Sequence, residues 1–346
     1  MRIAHLLWSF STGGIENMLV DIVNEQIKTE QVAIFVVNKR VDDNLLSKID
    51  KKVQIYLVGR KEGSKNPLPI LKLNYLLHSF RADIIHTHSD SLTNLVWGKH
   101  HFVRTIHNTH SSGPDYGRCE RLFCISNGVK NYTEKQGFPN GIVIYNGIHC
   151  DSILHNEIVR TEMHDPVRIV CVGRLHPMKG QDVLVDAIRI LVKERGIDNI
   201  ILDLIGDGEL RPLIENTISK NNLHQHINLL GTKSREYFYP RLKDYDVFVI
   251  PSVNEGFGLT LAEACSAKIP VITTDLEGPM EVIDYGKYGR YYKCGDPLAL
   301  ANEIESFLRE GVNVQQVEDA YCFAREHFDV VLTAQKYINE YKKVLC

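Results

Sequence analysis

Two glutamates, Glu255 and Glu263, stand eight residues apart in the stretch PSVNEGFGLTLAEA. The stretch follows the apolar run VFVIPS, so it lies where a predicted strand ends. Gly256 and Gly258 would let the backbone approach a ligand closely. A helix predicted to begin near Leu259 would point its first unpaired amides at an anion. Carboxylates beside such amides suit a ligand rich in hydroxyls and phosphates. Taken alone, however, the pair is better explained as a surface loop followed by an ordinary helix glutamate.

A group of histidines in the first half of the chain could form a metal site. These histidines are His86, His88, His100, His101, His107 and His110. No HExxH-like helical pair is present, so ordinary polar histidines are the preferred interpretation and no metal is expected. His107 is set apart because it ends a predicted strand.

A second glycine motif, GDGEL, begins at Gly206. It starts like a dinucleotide-binding fingerprint, but Arg211 occupies the place of the third glycine. Two glycines alone are a weak signal, and a nicotinamide enzyme is not indicated.

The elements that must position these residues alternate between short β-rich runs and amphipathic helical patterns. Predicted strands of the first half include RIAHLLW, QVAIFVV, VQIYLV and ADIIHTH, and those of the second half include VRIVCVGRL, NIILDLI, YDVFVIPS and IPVITTD. Predicted helices include SLTNLVWGK over residues 91–99 and QDVLVDAIRILVKER over residues 181–195. Alternation of this kind predicts parallel βαβ units with helices on both faces. The predicted fold class is therefore α/β, with two doubly wound Rossmann-like domains facing each other across a cleft.

Four segments are predicted along the chain. Residues 1–147 form the first Rossmann-like domain, and the polar, aperiodic residues 148–166 form a linker. Residues 167–328 form the second domain, and residues 329–346 form a terminal helix.

Composition places the chain among ordinary globular proteins, with 346 residues, 44% hydrophobic and 24% charged. The eight cysteines are scattered without a CxxC pair, which favours free thiols in a reducing cytoplasm. No window approaches the length of apolar sequence that a membrane span needs.

Several motifs together resemble the retaining family-4 glycosyltransferases, which have the GT-B fold. NEGFGLTLAEA resembles the family's E-x7-E motif, and CVGRLHPMKGQDVLVDAI resembles its second-domain segment with a paired arginine and lysine. STGGIENMLVDI, LIGDGELRPLI, NLLG and IPVITTDLEGPMEVI also fall in the family's order and spacing. The resemblance covers nearly the whole chain.

The resemblance implies a role for individual residues, with the diphosphate of a nucleotide-sugar donor as the central ligand. Arg174 and Lys179 would balance the charge of the departing diphosphate, as fixed cations stabilise a charge that grows in the transition state. The implied catalytic residues are His107, Arg174, Lys179 and Glu255. The implied donor-binding residues are Gly13, Gly14, Gly206, Phe257, Gly258, Leu259 and Glu263, with Glu263 on the ribose. The scheme requires no metal and no cofactor.

The sequence departs from the family pattern at three places. His107 is followed by Asn108 rather than by aspartate or glycine. The segment between this motif and the next strand is short. The usual double glycine after a late strand is Glu277-Gly278. These departures bear on the identity of the acceptor and the donor more than on the chemistry.

Charge is unevenly distributed, because basic side chains outnumber acidic ones in residues 1–150 and the reverse holds in residues 151–346. A basic half suggests contact with an anionic surface, such as a membrane leaflet or a phosphorylated substrate. With the family resemblance, this predicts a cytoplasmic enzyme, in contact with the inner face of the membrane, that moves a sugar from a UDP-sugar to a saccharide or lipid-linked saccharide acceptor. No basic patch interleaved with aromatic residues is present, and nucleic acid is not an expected partner.

Two other functions remain open from the sequence. A non-hydrolysing nucleotide-sugar epimerase would share the two-domain architecture and would act on the donor alone. A non-catalytic GT-B module would scaffold a partner.

Overall fold

The computed structural model describes residues 1–11, 13–109 and 117–346. Within them the chain forms two compact units, one of Met1–Ile148 with Asp329–Cys346 and the other of His149–Phe328. Residues predicted to form a linker are therefore divided, since Ile148 belongs to the first unit and the residues from His149 onwards to the second.

The first unit is built on a parallel seven-stranded sheet in the order β3-β2-β1-β4-β5-β6-β7. The strands are β1 Arg2–Leu7, β2 Gln31–Asn38, β3 Gln54–Arg60, β4 Ile84–Thr87, β5 Phe102–Ile106, β6 Arg121–Cys124 and β7 Gly141–Val143. The first helices are α1 Gly14–Gln26, α2 Asp43–Leu46, α3 Leu68–Phe80 and α4 Asn127–Lys135. Successive side chains point to opposite faces of a strand, so Ile3 and Ala4 belong to different apolar clusters.

The second unit is built on a six-stranded parallel sheet in the order β10-β9-β8-β11-β12-β13. Its strands are β8 Val167–Val172, β9 Ile200–Ile205, β10 Ile227–Gly231, β11 Val247–Ile250, β12 Val271–Thr274 and β13 Arg290–Tyr292. Its helices are α5 Gln181–Arg189, α6 Arg211–Lys220, α7 Arg235–Leu242, α8 Leu259–Ser266, α9 Glu277–Val282, α10 Pro297–Glu310 and α11 Val314–Phe328.

The last helix, α12 Val330–Leu345, belongs to the first unit. Tyr337 and Tyr341 of this helix are fully buried in the apolar cluster that also holds the inner face of α1. Close packing at Gly147, where a Cβ would lie 2.5 Å from the Val330 Cα, holds the start of α12 against the sheet.

Strand order identifies the ligand-binding edge of each unit. Order along the sheet reverses between β1 and β4 in the first unit and between β8 and β11 in the second. In doubly wound sheets, ligands bind where the order reverses, beyond the carboxyl ends of the strands. A ligand-binding site is therefore expected in the loops that follow these four strands.

The structure corrects several predicted elements. The helix predicted over 91–99 is a single 3-10 turn, Leu92–Leu95, because Ser91 before it is left-handed with φ 62°. The helix predicted over 181–195 ends as α-helix at Arg189 and continues as π-helix, Ile190–Glu194. Short helices α2 and α9 were not predicted.

None of the eight cysteines, all of which lie in the described residues, forms a disulfide. Burial raises the pKa of the Cys171 and Cys265 thiols to about 12, so these thiols stay protonated and act as core side chains. Among the described residues, no helix has the length and apolar character needed to cross a bilayer.

Candidate functional site

The loop after β8 and the loop after β11 are joined through a 3-10 turn, Pro177–Lys179. The carbonyl of Met178 accepts hydrogen bonds from the amides of Val253 and Asn254, each at 3.0 Å. Gly180 ends the turn at φ 63°, and a Cβ there would lie 2.1 Å from the Pro251 carbonyl oxygen. Only glycine therefore allows the two loops to approach this closely.

This contact brings Lys179 onto Glu255. The Lys179 Nζ donates to Glu255 Oε2 at 2.5 Å, and Ser252 Oγ lies 3.5 Å from the same oxygen. The two side chains are 35% and 15% exposed, so the ion pair is partly solvated and contributes about 1 kcal/mol or less to stability. It is thus weak enough for an anionic ligand to replace.

The second turn-forming segment, Gly256–Gly258, leads into α8. Phe257 is buried and packs edge-to-face on Phe328 with the ring centroids 5.1 Å apart, which anchors the loop. Gly258 caps α8 in the left-handed region at φ 106°. The amides of Phe257, Gly258 and Leu259 belong to this loop and to the first position of α8, where an anion is favoured by the helix dipole.

Glu263 lies in the second turn of α8 and is 2% exposed. Its Oε1 accepts a hydrogen bond from the Tyr239 hydroxyl at 2.7 Å and lies 3.6 Å from an Arg235 guanidinium nitrogen. Both partners belong to α7. The two predicted glutamates therefore have different partners. Glu255 is bonded to Lys179, and Glu263 is bonded to side chains of α7.

Arg174 follows β8 and is exposed. Its carbonyl accepts a hydrogen bond from the buried side chain of Gln181 at 3.0 Å, which fixes the backbone at the end of the strand. Gly206 stands at the end of the neighbouring strand, and a Cβ there would lie 1.9 Å from the Gly173 carbonyl oxygen. The requirement for glycine at this position is thus explained by backbone packing between β8 and β9.

Gly13 and Gly14 lead from the loop after β1 into α1. Gly13 is extended, with φ −164°, and its carbonyl accepts the Asn17 side-chain amide at 2.8 Å. A side chain at Gly14 would meet no atom within 4 Å, so the first turn of α1 leaves space beside its backbone.

His107 follows β5 and is half-buried. Its Nε2 lies 3.3 Å from Nδ1 of the buried His88. Burial, together with the Arg104 guanidinium, lowers the pKa of His107 to about 3, so its ring is neutral at physiological pH.

Three buried histidines, His5, His86 and His88, have ring nitrogens within 4.8 Å of one another, a spacing that could hold a metal ion. All six ring nitrogens of these histidines already have hydrogen-bond partners. His5 and His88 are bonded to each other, and the remaining partners are Gln26, Thr105, Tyr341 and His107. A cation would have to displace those bonds. His100 and His101 lie outside this group, and His110 lies outside the described residues.

Two family models match the chain in succession. The model described as Glycosyltransferase Family 4 matches residues 12–152, and the model described as Glycosyl transferases group 1 matches residues 156–321. Together they cover most of both units. The chain belongs to the family-4 glycosyltransferases.

Curated relatives of this family-4 glycosyltransferase include an uncharacterised glycosyltransferase of Methanocaldococcus jannaschii, 29% identical over 73% of this chain and 64% of the relative. The Escherichia coli O-antigen biosynthesis glycosyltransferase WclY is 23% identical over 99% of both chains. The amylovoran biosynthesis glycosyltransferase AmsK of Erwinia amylovora is 32% identical over 41% of this chain. The chain spans 64% of the archaeal relative and 36% of AmsK, less than two thirds of either.

Solved structures share the fold over the whole chain. A glycosyltransferase from Rickettsia africae superimposes with a TM-score of 0.80 at 22% identity, covering 99% of this chain and 98% of that one. HepE of Anabaena, solved with UDP-glucose, gives a TM-score of 0.80 at 20% identity, covering 99% and 100%. The predicted GT-B fold class, with two parallel-sheet α/β domains, is confirmed.

Sequence reasoning missed several polar residues that this glycosyltransferase places against the predicted site residues. Arg235 and Tyr239 contact Glu263, and Gln26 and His5 are joined to His107 through His88, which the sequence suggested only as a possible metal ligand. A signal for the second group existed, since His5 and His86 occur within the apolar runs of β1 and β4, and the structure shows these two strands to be paired.

Proposed function

We propose that this glycosyltransferase transfers a sugar from a nucleotide-diphosphate donor, a UDP-sugar, to a saccharide acceptor with retention of configuration at the transferred carbon. The observation that carries the proposal is the Lys179–Glu255 pair, 2.5 Å apart at the edge where the order of strands reverses. HepE, which has the same fold, was solved with UDP-glucose, and this supports the choice of nucleotide.

The pair suggests how a donor would enter. A diphosphate would compete with Glu255 for the Lys179 ammonium group, and the released carboxylate would then accept hydrogen bonds from sugar hydroxyls. Arg174 would add a second cation, and the first amides of α8 would add neutral donors. Because the leaving diphosphate gains negative charge, these groups would stabilise the transition state more than the ground state.

Glu263 would bind the ribose through the carboxylate that Tyr239 and Arg235 hold in place. Gly13 and Gly14 would leave room for the donor or the acceptor, and His107 would contact the donor sugar. We propose that the reaction uses no metal and no cofactor, because Arg174 and Lys179 supply the cationic charge.

The main experiment is a transfer assay after a thermal-shift screen of UDP-, GDP- and ADP-sugars, since a donor that binds the native state raises the melting temperature. Lys179→Ala is expected to lower kcat/KM by about 10²–10³-fold, as the loss of a preorganised charge does elsewhere. Lys193→Ala, which removes a lysine whose ammonium group donates to the Asn222 carbonyl at 3.3 Å, is the matched control.

Transfer by Lys179→Ala and Glu255→Ala at the wild-type rate would overturn the assigned roles. Epimerisation of a donor without any acceptor would favour the epimerase instead. Loss of transfer in EDTA, restored by Mg²⁺, would contradict the metal-free mechanism.

We also propose that the acceptor is lipid-linked and that the first unit contacts an anionic bilayer. Exposed apolar side chains lie on α3 and on the edge strand β3, namely Leu68, Leu71, Tyr75, Ile55 and Leu57. Exposed lysines flank them in the chain, at Lys51, Lys52, Lys61, Lys65 and Lys72. Apolar groups beside lysines complement an anionic lipid surface. The name of the relative WclY supports a role in surface polysaccharide synthesis.

Vesicle co-sedimentation tests this contact. Binding is expected to phosphatidylglycerol vesicles and not to phosphatidylcholine vesicles, and the double variant Leu71→Ser with Tyr75→Ser should weaken it. Leu213→Ser with Leu298→Ser, at positions 49% and 52% exposed in the second unit, is the control. Equal binding by both double variants would refute the proposed surface.

A further inference from the structure

A continuous path of buried hydrogen bonds joins Gln26, at the end of α1, to His107. The Gln26 Oε1 lies 2.7 Å from His5 Nε2, and His5 Nδ1 lies 3.0 Å from His88 Nε2. The last step joins His88 Nδ1 to His107 Nε2 over 3.3 Å. Gln26 and His5 are fully buried and His88 is 4% exposed, so the path lies inside the first unit as far as His88.

The direction of every bond in this path follows from one amide. The Gln26 Oε1 is an acceptor only, so His5 must carry its hydrogen on Nε2 and accept on Nδ1. His88 then donates from Nε2 and accepts on Nδ1. His107 must therefore donate from Nε2, which leaves its Nδ1 without a hydrogen and able to accept.

The hydrogen bonds of the Gln26 side-chain nitrogen agree with these donor and acceptor roles. The Gln26 Nε2 donates to the Tyr341 hydroxyl at 3.4 Å, and that hydroxyl donates to His86 Nδ1 at 2.6 Å. His86 Nε2 then donates to Thr105 Oγ1 at 2.7 Å. If the Gln26 amide were turned over, both paths would reverse together.

The donor and acceptor roles along the path are fixed only while each histidine ring is neutral, with a hydrogen on one of its two nitrogens. Burial lowers the pKa of His5 to about 4, and burial with repulsion from neighbouring histidines keeps the pKa of His86 and His88 well below the usual value. Each ring is therefore neutral at pH 7, with one donor and one acceptor nitrogen.

We propose that Gln26 is a positioning residue which, through His5 and His88, fixes His107 as the Nε2–H tautomer and so presents its Nδ1 as an acceptor to a donor-sugar hydroxyl. The identity of that ligand rests on the proposed function, whereas the tautomer does not. In the reverse direction, His107 would present a donor in place of an acceptor, and the hydroxyl would have to accept from the ring instead of donating to it.

The experiment is ¹⁵N NMR of the full chain with labelled histidine, in which protonated and unprotonated ring nitrogens have distinct shifts. His107 is assigned by the signal lost in His107→Gln. The wild type is expected to show the Nε2–H tautomer at pH 7.5. Gln26→Glu keeps an acceptor for His5 and should keep this tautomer, whereas Gln26→Leu should give a mixture and lower kcat/KM by about tenfold, as loss of one hydrogen bond does.

Thr133→Val is the matched control, because it removes a hydrogen bond from the buried Thr133 side chain to the Lys130 carbonyl in the same unit without touching the path. A wild-type His107 in the Nδ1–H form, or a Gln26→Leu spectrum identical to that of the wild type, would overturn the proposal even in an active enzyme. A protein with no transferase activity but the expected spectra would overturn the proposed function alone.

Discussion

The buried carboxylate of Glu263 accepts a hydrogen bond from a neutral donor that lies 24 residues earlier in the chain, the Tyr239 hydroxyl. A hydrogen bond to a charged group contributes about 1.5–3 kcal/mol, and it also fixes the carboxylate for the ribose contact proposed above. Tyr239 could not be predicted from the family's motif, because the motif contains Glu263 but not Tyr239.

We predict that Tyr239→Phe lowers the free energy of unfolding by about 2 kcal/mol, because it leaves a buried carboxylate with one bond fewer. Urea denaturation measures the change. Tyr237→Phe is the control from the same helix, since the Tyr237 ring contacts the Arg241 guanidinium at 4.2 Å and phenylalanine retains that ring. Equal stability of the two variants would show that the Tyr239 bond adds nothing.

At the scale of elements, the loop between β11 and α8 is held by a close backbone contact with α9 as well as by its own side chains. Gly278 in α9 lies against it, and a Cβ there would be 2.6 Å from the Gly256 carbonyl carbon and oxygen. This close approach explains the glycine at position 278, the second of the two positions at which the family has glycine.

Gly278→Ala is accordingly expected to destabilise the protein by about 3 kcal/mol, as overpacking against an unyielding neighbour does. It should also weaken donor binding, because the loop that carries Glu255 and Phe257 must move. Thermal unfolding and donor titration measure the two effects. Gly14→Ala, where a Cβ would meet nothing within 4 Å, should retain wild-type stability. A Gly278→Ala protein as stable as Gly14→Ala would contradict the packing argument.

At the scale of the whole molecule, the buried histidines make folding sensitive to acid. His5, His86, His88 and His107 are neutral in the folded state and have a pKa near 6.5 when unfolded. As the pH falls below 6.5, the unfolded chain binds more protons than the folded chain, so stability decreases. Above pH 6.5 these groups contribute no pH dependence.

We predict that stability decreases from pH 7 to pH 5, by roughly 2 kcal/mol for each such histidine at pH 5. Urea midpoints across this range measure it. His86→Asn should give a shallower profile, and His100→Asn, which lies outside the group of buried histidines, should give the wild-type profile. A midpoint that does not change between pH 7 and pH 5 would refute the assignment of these rings as neutral in the fold.

The sequence by itself determined the α/β class and the order of elements, because hydrophobic periodicity and glycine turns are local properties of the chain. It also indicated the family, since the motifs containing Lys179, Glu255 and Glu263 keep a fixed order. The short helices α2 and α9 were not predicted, because segments of four to six residues are too short to show a helical periodicity.

Only the tertiary structure decided which side chains meet. Lys179 and Glu255 are separated by 76 residues, and Gln26 and Tyr341 by 315, yet each pair forms a hydrogen bond. Such bonds require the donor and acceptor atoms to lie within about 3.5 Å, and that distance is set by how strands and helices pack, not by local sequence. The direction of the histidine path and the separation of Glu263 from Glu255 are consequences of that packing.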